Sequence, residues 1–226
     1  VEIESCASGG ARMDFGILQY TQRFWLSDCN DAHERQIMQQ WAALFFPSEV
    51  IGSHIGPPES HTTSRVHLDD VRIGTAFFGH LGIEWDIRTL DEAAFARMAR
   101  GIALHKEWRP LLHQGLRHAL DSGDEAQLAF AVSHNNRQLV SIFQQRMPTL
   151  AVGANLKFKR LVAGQNYRLR RLFEPEKTGH LMKQQPTWMS FEQVEFSGAE
   201  LMQIGLPLPV LDPDTLLVLA LEPVHR

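Results

Sequence analysis

Arg23-Phe24-Trp25-Leu26-Ser27-Asp28-Cys29-Asn30-Asp31-Ala32-His33-Glu34-Arg35 sets a short apolar strand, a polar exit and a helix start in one stretch. Asp31 and Glu34 have the spacing of a capping box, so Asp31 is the expected N-cap. The helix that follows places Ile37, Met38, Trp41, Leu44 and Phe45 on one face and should stop before Pro47, about four turns on. Upstream, Val1-Glu2-Ile3-Glu4 alternates like a strand and runs through Cys6 into the turn Gly9-Gly10. Downstream, Glu49 to His54 reads as a strand leaving into Ile55-Gly56-Pro57-Pro58, and Gly74-Thr75-Ala76-Phe77-Phe78-Gly79 is another short apolar piece. Thr89 and Glu92 make a second capping box, opening a helix whose Phe95, Met98, Ala99, Ile102 and Ala103 share a stripe and which ends near Gly115. Short strands alternating with helices predict a parallel sheet covered by helices over residues 1–112, an arrangement that includes parts of a (β/α) barrel.

The texture changes at about residue 113. Gln127 to Val132, Gln138 to Phe143, Leu156 to Leu161 and Tyr167 to Leu172 are short alternating segments with turn residues such as Ser133-His134-Asn135-Asn136 between them. The last expected strand, Leu216 to Leu221, follows the turn Asp212-Pro213-Asp214. Residues 113–226 therefore read as an antiparallel β-domain.

With 44% hydrophobic and 21% charged residues the chain can bury a core. A formal charge of -4 with scattered Lys and Arg gives no nucleic-acid footprint. Lys157-Phe158-Lys159-Arg160 and Arg168, Arg170 and Arg171 read as solvated sides of strands. No apolar run reaches the ~20 residues of a membrane span. Two cysteines, Cys6 and Cys29, cannot make a disulfide framework, and the expected compartment is the cytoplasm. The chain opens without Met inside an alternating stretch and reads as a piece of a longer protein.

In a (β/α) arrangement, catalytic groups belong where strands hand over to loops. Cys6 with Gly9, Asp28 and His54 hold such places. Each also has a structural reading: a small apolar thiol, a turn, a loop acid and a hydrogen-bonded histidine. Asp28 stands out because Asp31 already supplies the cap. A cysteine nucleophile at Cys6 lacks a histidine placed beside it, and His54 and His61 lack metal-ligand spacing, so no metal or cofactor is expected.

Taken together, Glu4-Ser5-Cys6-Ala7-Ser8-Gly9-Gly10-Ala11-Arg12-Met13-Asp14 resembles a motif of the α-galactosidases of glycoside hydrolase family 36: Cys, a Gly-rich turn, Arg, an apolar residue and Asp. Trp25-Leu26-Ser27-Asp28, a variable pair, then Asp31-Ala32-His33-Glu34-Arg35 resembles the family's second motif. Weaker similarity runs through Gly52-Ser53-His54-Ile55, His61 to Arg65, Gly79 to Glu84 and Ser197-Gly198 to Pro209. Departures are Ala11 for a usual Gly, Leu26 for a usual Thr, and Cys29-Asn30 in the variable pair.

The resemblance implies the later part of a (β/α)8 TIM barrel followed by an antiparallel β-sandwich, and retaining hydrolysis of terminal α-galactosidic bonds in saccharides such as melibiose or raffinose. By the same resemblance Asp28 is the acid/base, Cys6 and Gly9 line the galactose pocket and Arg12 lies near it, or instead pairs with Asp14. Trp25 is a sugar platform or core. The family's nucleophile motif has no match here, so the implied partners are a galactose-containing oligosaccharide and an N-terminal part of the same protein, and the isolated chain is expected to be inactive. A homo-oligomer stays open. The alternatives are a transglycosylase of the family, or a noncatalytic carbohydrate-binding or interaction module.

Overall fold

Four short strands, β1 (Glu4–Ser5), β2 (Arg23–Trp25), β3 (Ile51–Ile55) and β4 (His80–Ile83), lie parallel in sequence order in a computed structural model that describes residues 1–6, 13–175 and 185–224. Helices separate most of them: α1 (Ala32–Ala42) lies between β2 and β3, and α2 (Asp69–Phe77) between β3 and β4. The long α3 (Glu92–Gln114) follows β4. The chain divides into two units, residues 1–113 and 114–226.

Side chains alternate across a strand, and registered neighbours share a face. Phe24 and Ile51, paired in register, join Ala42 of α1 and Phe46 in one buried cluster, so this is the face the helices cover. The other face carries Glu4, Arg23, Trp25, Gly52, His54 and Gly82.

Helix α1 departs from its expected orientation. It spans Ala32–Ala42, about three turns rather than four, and buries Arg35, Gln36 and Gln39. Trp41, Leu44 and Phe45, expected to pack, are 61%, 67% and 72% exposed. The reason lies in what the buried side must meet. Gln39 donates to Ser53 Oγ at 2.6 Å, Gln36 to Thr75 Oγ1 at 2.9 Å, and Arg35 to the Gly52 carbonyl at 3.0 Å. A helix facing hydroxyls and a strand carbonyl needs donors there.

Residues 74–77, a short apolar piece in the sequence, form the last turn of α2, and the next strand begins at His80. A short apolar run suits either state, and here every residue from Val71 to Phe77 is buried, so the helix is covered on all sides and shows no period. Thr89 does not cap α3. Its hydroxyl donates to the Asp86 carbonyl at 2.7 Å, while Asp91 accepts from the Ala94 N–H at 2.7 Å. Helix α3 ends at Gln114 as expected, but its buried side runs through Met98, Gly101, His105 and Trp108, with Phe95 57% exposed.

In the second unit six strands form one antiparallel sheet: β5 (Leu116–Ala119), β6 (Gln127–His134), β7 (Arg137–Gln144), β9 (Asn166–Phe173), β10 (Gln193–Ser197) and β12 (Thr215–Pro223), in the order β10-β9-β12-β7-β6-β5. A second, two-stranded sheet pairs β8 (Asn155–Leu156) with β11 (Leu206–Pro207), and the helix α4 (Gly198–Gln203) lies between β10 and β11 in sequence. Only Asn155–Leu156 is strand in the stretch expected to run to Leu161. Asn135 and Asn136 take φ of 49° and 59° in the tight β6–β7 turn, a conformation asparagine tolerates. Arg168 and Arg170 face acids on neighbouring strands, Glu195 at 3.9 Å and Glu222 at 3.2 Å.

Asp31 caps α1 as the sequence indicates, accepting from the Glu34 N–H at 3.1 Å. Its carboxylate is fully buried and gathers the segment beyond β3: Thr63 donates to Oδ2, Arg65 lies 3.3 Å and His67 3.2 Å from Oδ1. Burial alone would raise this carboxyl's pKa, but the hydrogen bonds from Thr63 and Glu34 and the charge of His67 hold it down at about 2. A carboxyl depressed by folding stabilises the fold at all pH values above its unfolded pKa, and the gain disappears as pH falls through the folded value. Asp31→Asn keeps a capping oxygen and removes the charge. Urea denaturation should show it about 2 kcal/mol less stable at neutral pH, the gap closing between about pH 4 and about pH 2. A gap unchanged over that range would show that the charge is not what fastens the segment.

Candidate functional site

The C-terminal edge of the parallel sheet brings several polar groups together. Cys6 follows β1, Ser27 and Asp28 follow β2, Gly56 follows β3 and Glu84 follows β4. Cys6 Sγ lies 4.0 Å from Asp28 Oδ1, and both residues are exposed. The structure thus joins two of the residues singled out from sequence. Gly9 and Arg12 lie outside the described residues.

Asp28 is exposed, but its neighbours are held on every side. The Ser27 carbonyl accepts from Arg35 at 3.4 Å, and Ser27 Oγ accepts from the Cys29 N–H at 3.2 Å. Cys29 Sγ lies 3.2 Å from Thr62 Oγ1. Asn30 Nδ2 donates to Glu84 Oε2 at 3.0 Å, and Asp31 is locked in its cap. A loop pinned at four of five successive positions presents the remaining side chain, Asp28, in a narrow range of places.

Beneath this edge lies a charged layer. Glu4, on β1, receives Arg23 Nε at 3.0 Å and stands 3.2 Å from His54 Nε2. His54 Nδ1 lies 3.6 Å from Glu84 Oε2. His54 is within β3, one residue before its end, rather than in the loop beyond it. Its ring stacks on Trp25 at 4.1 Å between centroids. Trp25 is only 5% exposed and also lies under the Arg35 guanidinium, 3.7 Å from the ring centroid, so it belongs to the core and offers no sugar platform. Burial lowers the Arg35 pKa to about 10, opposed by Cys29, Glu84 and Glu4, and leaves the group charged at neutral pH.

Sequence reasoning missed Glu4, Asn30 and Glu84 as parts of this site. A signal for Glu4 was present: it stands two residues before Cys6 in an alternating strand, hence on the same face. Glu84 closes the stretch Gly79-His80-Leu81-Gly82-Ile83-Glu84 at a strand exit, where an acid after apolar residues invites the same question. Nothing in the spacing tells that Asn30 reaches Glu84.

Residues 1–115 match the Melibiase family profile. The chain is 43% identical over 229 residues to an α-galactosidase of Escherichia coli, covering 98% of this chain and 32% of that protein. It is 29% identical over 214 residues to the α-galactosidase AgaA of Geobacillus stearothermophilus, covering 93% of this chain and 26% of that one. A crystal structure of an AgaA variant in complex with raffinose superposes with a TM-score of 0.81 at 26% identity, covering 98% of this chain and 28% of that chain. The chain therefore spans a third or less of the length of these relatives, and it belongs to the melibiase family, the α-galactosidases of glycoside hydrolase family 36.

Proposed function

We propose that this chain carries the acid/base carboxyl of an α-galactosidase that removes terminal α-linked galactose from raffinose-type saccharides with retention. The observation that carries the reading is Asp28: it stands at the exit of β2, 4.0 Å from the Cys6 thiol, while Asp31 takes the cap that would otherwise occupy it. The family relatives are named α-galactosidases, and one binds raffinose.

Retention needs two carboxyl groups about 5–5.5 Å apart on opposite faces of the scissile bond. One attacks the sugar carbon. The other, Asp28 here, gives its proton to the departing oxygen and, as carboxylate, then takes a proton from water, so the cycle returns it unchanged. No residue in these 226 matches the family's nucleophile motif, so the second carboxyl comes from elsewhere in the enzyme. Its negative charge would hold the proton on Asp28 near neutral pH, since two close carboxylates resist ionising together. In this reading Cys6 and Gly9 admit a galactose hydroxyl, Arg12 lies beside them, and residues 1–112 are the later part of a (β/α)8 barrel. Residues 113–226 are the closing antiparallel β-sandwich. Two cysteines outside any disulfide, Cys6 and Cys29, fit a cytoplasmic setting.

Leaving groups test the acid role. A saccharide alcohol needs protonation to depart, whereas a nitrophenolate departs without it. Asp28→Asn in the full-length enzyme should lower kcat/KM on raffinose by about 10²–10⁴-fold and on p-nitrophenyl α-galactoside far less. Added azide, which needs no base, should then restore kcat on the aryl substrate and yield α-galactosyl azide. Turnover of raffinose equal to wild type would remove Asp28 from the mechanism and favour a noncatalytic module. For the pocket role, Cys6→Leu should weaken inhibition by free galactose by about tenfold or more, measured as the inhibition constant. An unchanged constant would place Cys6 outside the pocket.

A further inference from the structure

Across the face of the parallel sheet opposite the helices runs a line of polar side chains, each 3.0–3.6 Å from the next. Glu4 Oε1 meets His54 Nε2 at 3.2 Å, His54 Nδ1 lies 3.6 Å from Glu84 Oε2, and that same oxygen accepts from Asn30 Nδ2 at 3.0 Å. The chain starts two residues before Cys6 and ends two residues after Asp28. Its far end is anchored, since Arg23 binds Glu4 at 3.0 Å and Glu2 at 2.9 Å.

Three glycines make room for it. A Cβ at Gly52 would run into Glu4 Oε2, one at Gly82 would lie 2.5 Å from His54 Cδ2, and one at Gly56 would lie 2.6 Å from Asn30 Nδ2. None of the three takes a positive φ, so the backbone itself does not call for glycine there. In a strand or at its exit, glycine without a backbone reason marks a place where another group must come close. Each of these glycines faces a different member of the same chain.

We infer that the Glu4–His54–Glu84–Asn30 chain is a positioning device, fixing the Asp28 loop against the β1 exit so that the carboxyl stands at a set distance from the pocket wall at Cys6. None of the four need touch the sugar. Glu84 is the pivot, because one oxygen binds the loop side, through Asn30, and lies against the strand side, 3.6 Å from His54. Cutting there frees the loop from β1 while leaving the buried cap at Asp31 and the Arg35 bond to Ser27 in place.

The inference rests on Asp28 being the acid/base, and the same leaving-group comparison tests it. In the full-length enzyme, Glu84→Ala and Asn30→Ala should each lower kcat/KM on raffinose by about 10–100-fold, while kcat/KM on p-nitrophenyl α-galactoside falls less than about threefold. Gly82→Ala, which leaves every polar group in the sequence but pushes on His54, should give the same split. Glu84→Gln, which keeps an oxygen for Asn30, should recover most of the loss. A purely structural role would lower both substrates together and in step with thermal stability, and that result overturns the inference. If Asp28→Asn splits the two substrates and these variants do not, the inference alone falls. If Asp28→Asn shows no split either, the acid/base reading falls and takes the inference with it.

Discussion

A side chain that lies flat across a neighbouring strand needs a position there with no Cβ in its path. That constraint governs the face of this sheet opposite the helices. Glutamate, histidine and asparagine side chains cross from strand to strand there, and at each crossing the neighbour is a glycine: Gly52 beside Glu4, Gly82 beside His54, Gly56 beside Asn30. Because partly buried polar groups cost free energy when unpaired, they are arranged to satisfy one another. Order on this face therefore comes from vacancies as much as from contacts.

The covered face obeys the same accounting with a different outcome. Apolar packing there includes the cluster of Phe24, Ile51, Ala42 and Phe46. Beside it α1 makes polar contacts with β3, with α2 and with the β2 exit, and its buried polar side chains have partners of fixed direction: Gln39 with Ser53, Gln36 with Thr75 of α2, Arg35 with the carbonyls of Gly52 and Ser27. Hydrophobic burial is non-directional and would tolerate a small rotation of the helix, whereas these bonds do not. The arrangement fixes the angle at which α1 meets the strands, and with it the loop that joins β2 to Asp31.

This explains which parts were legible in the sequence. The Asp31 cap, the tight Asn135-Asn136 turn and the end of α3 follow from local rules and stand where those rules put them. The exposed side of α1 was misread because periodicity reports that a helix has two faces and not which is buried. Ile37, Met38 and Trp41 form an apolar stripe, yet the hydroxyls of Ser53 and Thr75, distant in sequence, chose the other side. Residues 74–77 could not be assigned to helix or strand from sequence, since a four- to six-residue apolar run carries no period of its own. At the site, Asp28 and Cys6 could be picked out because their motif lies in one stretch each. Glu4 and Glu84 left only a local signal, a strand-face position and a strand exit, and that they flank His54 while Asn30 reaches Glu84 emerges only once four strands are in register.

A firmly held loop suits the chemistry proposed for Asp28. In a retaining cycle the carboxyl acts twice, first on the oxygen that leaves and then on the water that replaces it. The water attacks from the side the leaving group vacated, so both oxygens occupy nearly the same point relative to the sugar carbon. One placement of the carboxyl therefore serves both steps, and mobility would add nothing but misaligned conformers. Anchors at Ser27, Cys29, Asn30 and Asp31 leave the backbone at position 28 little freedom, while its side chain stays exposed. Those anchors come from α1, from the segment containing Thr62 and Thr63, and from the exit of β4, so the site draws its rigidity from elements far apart in the chain.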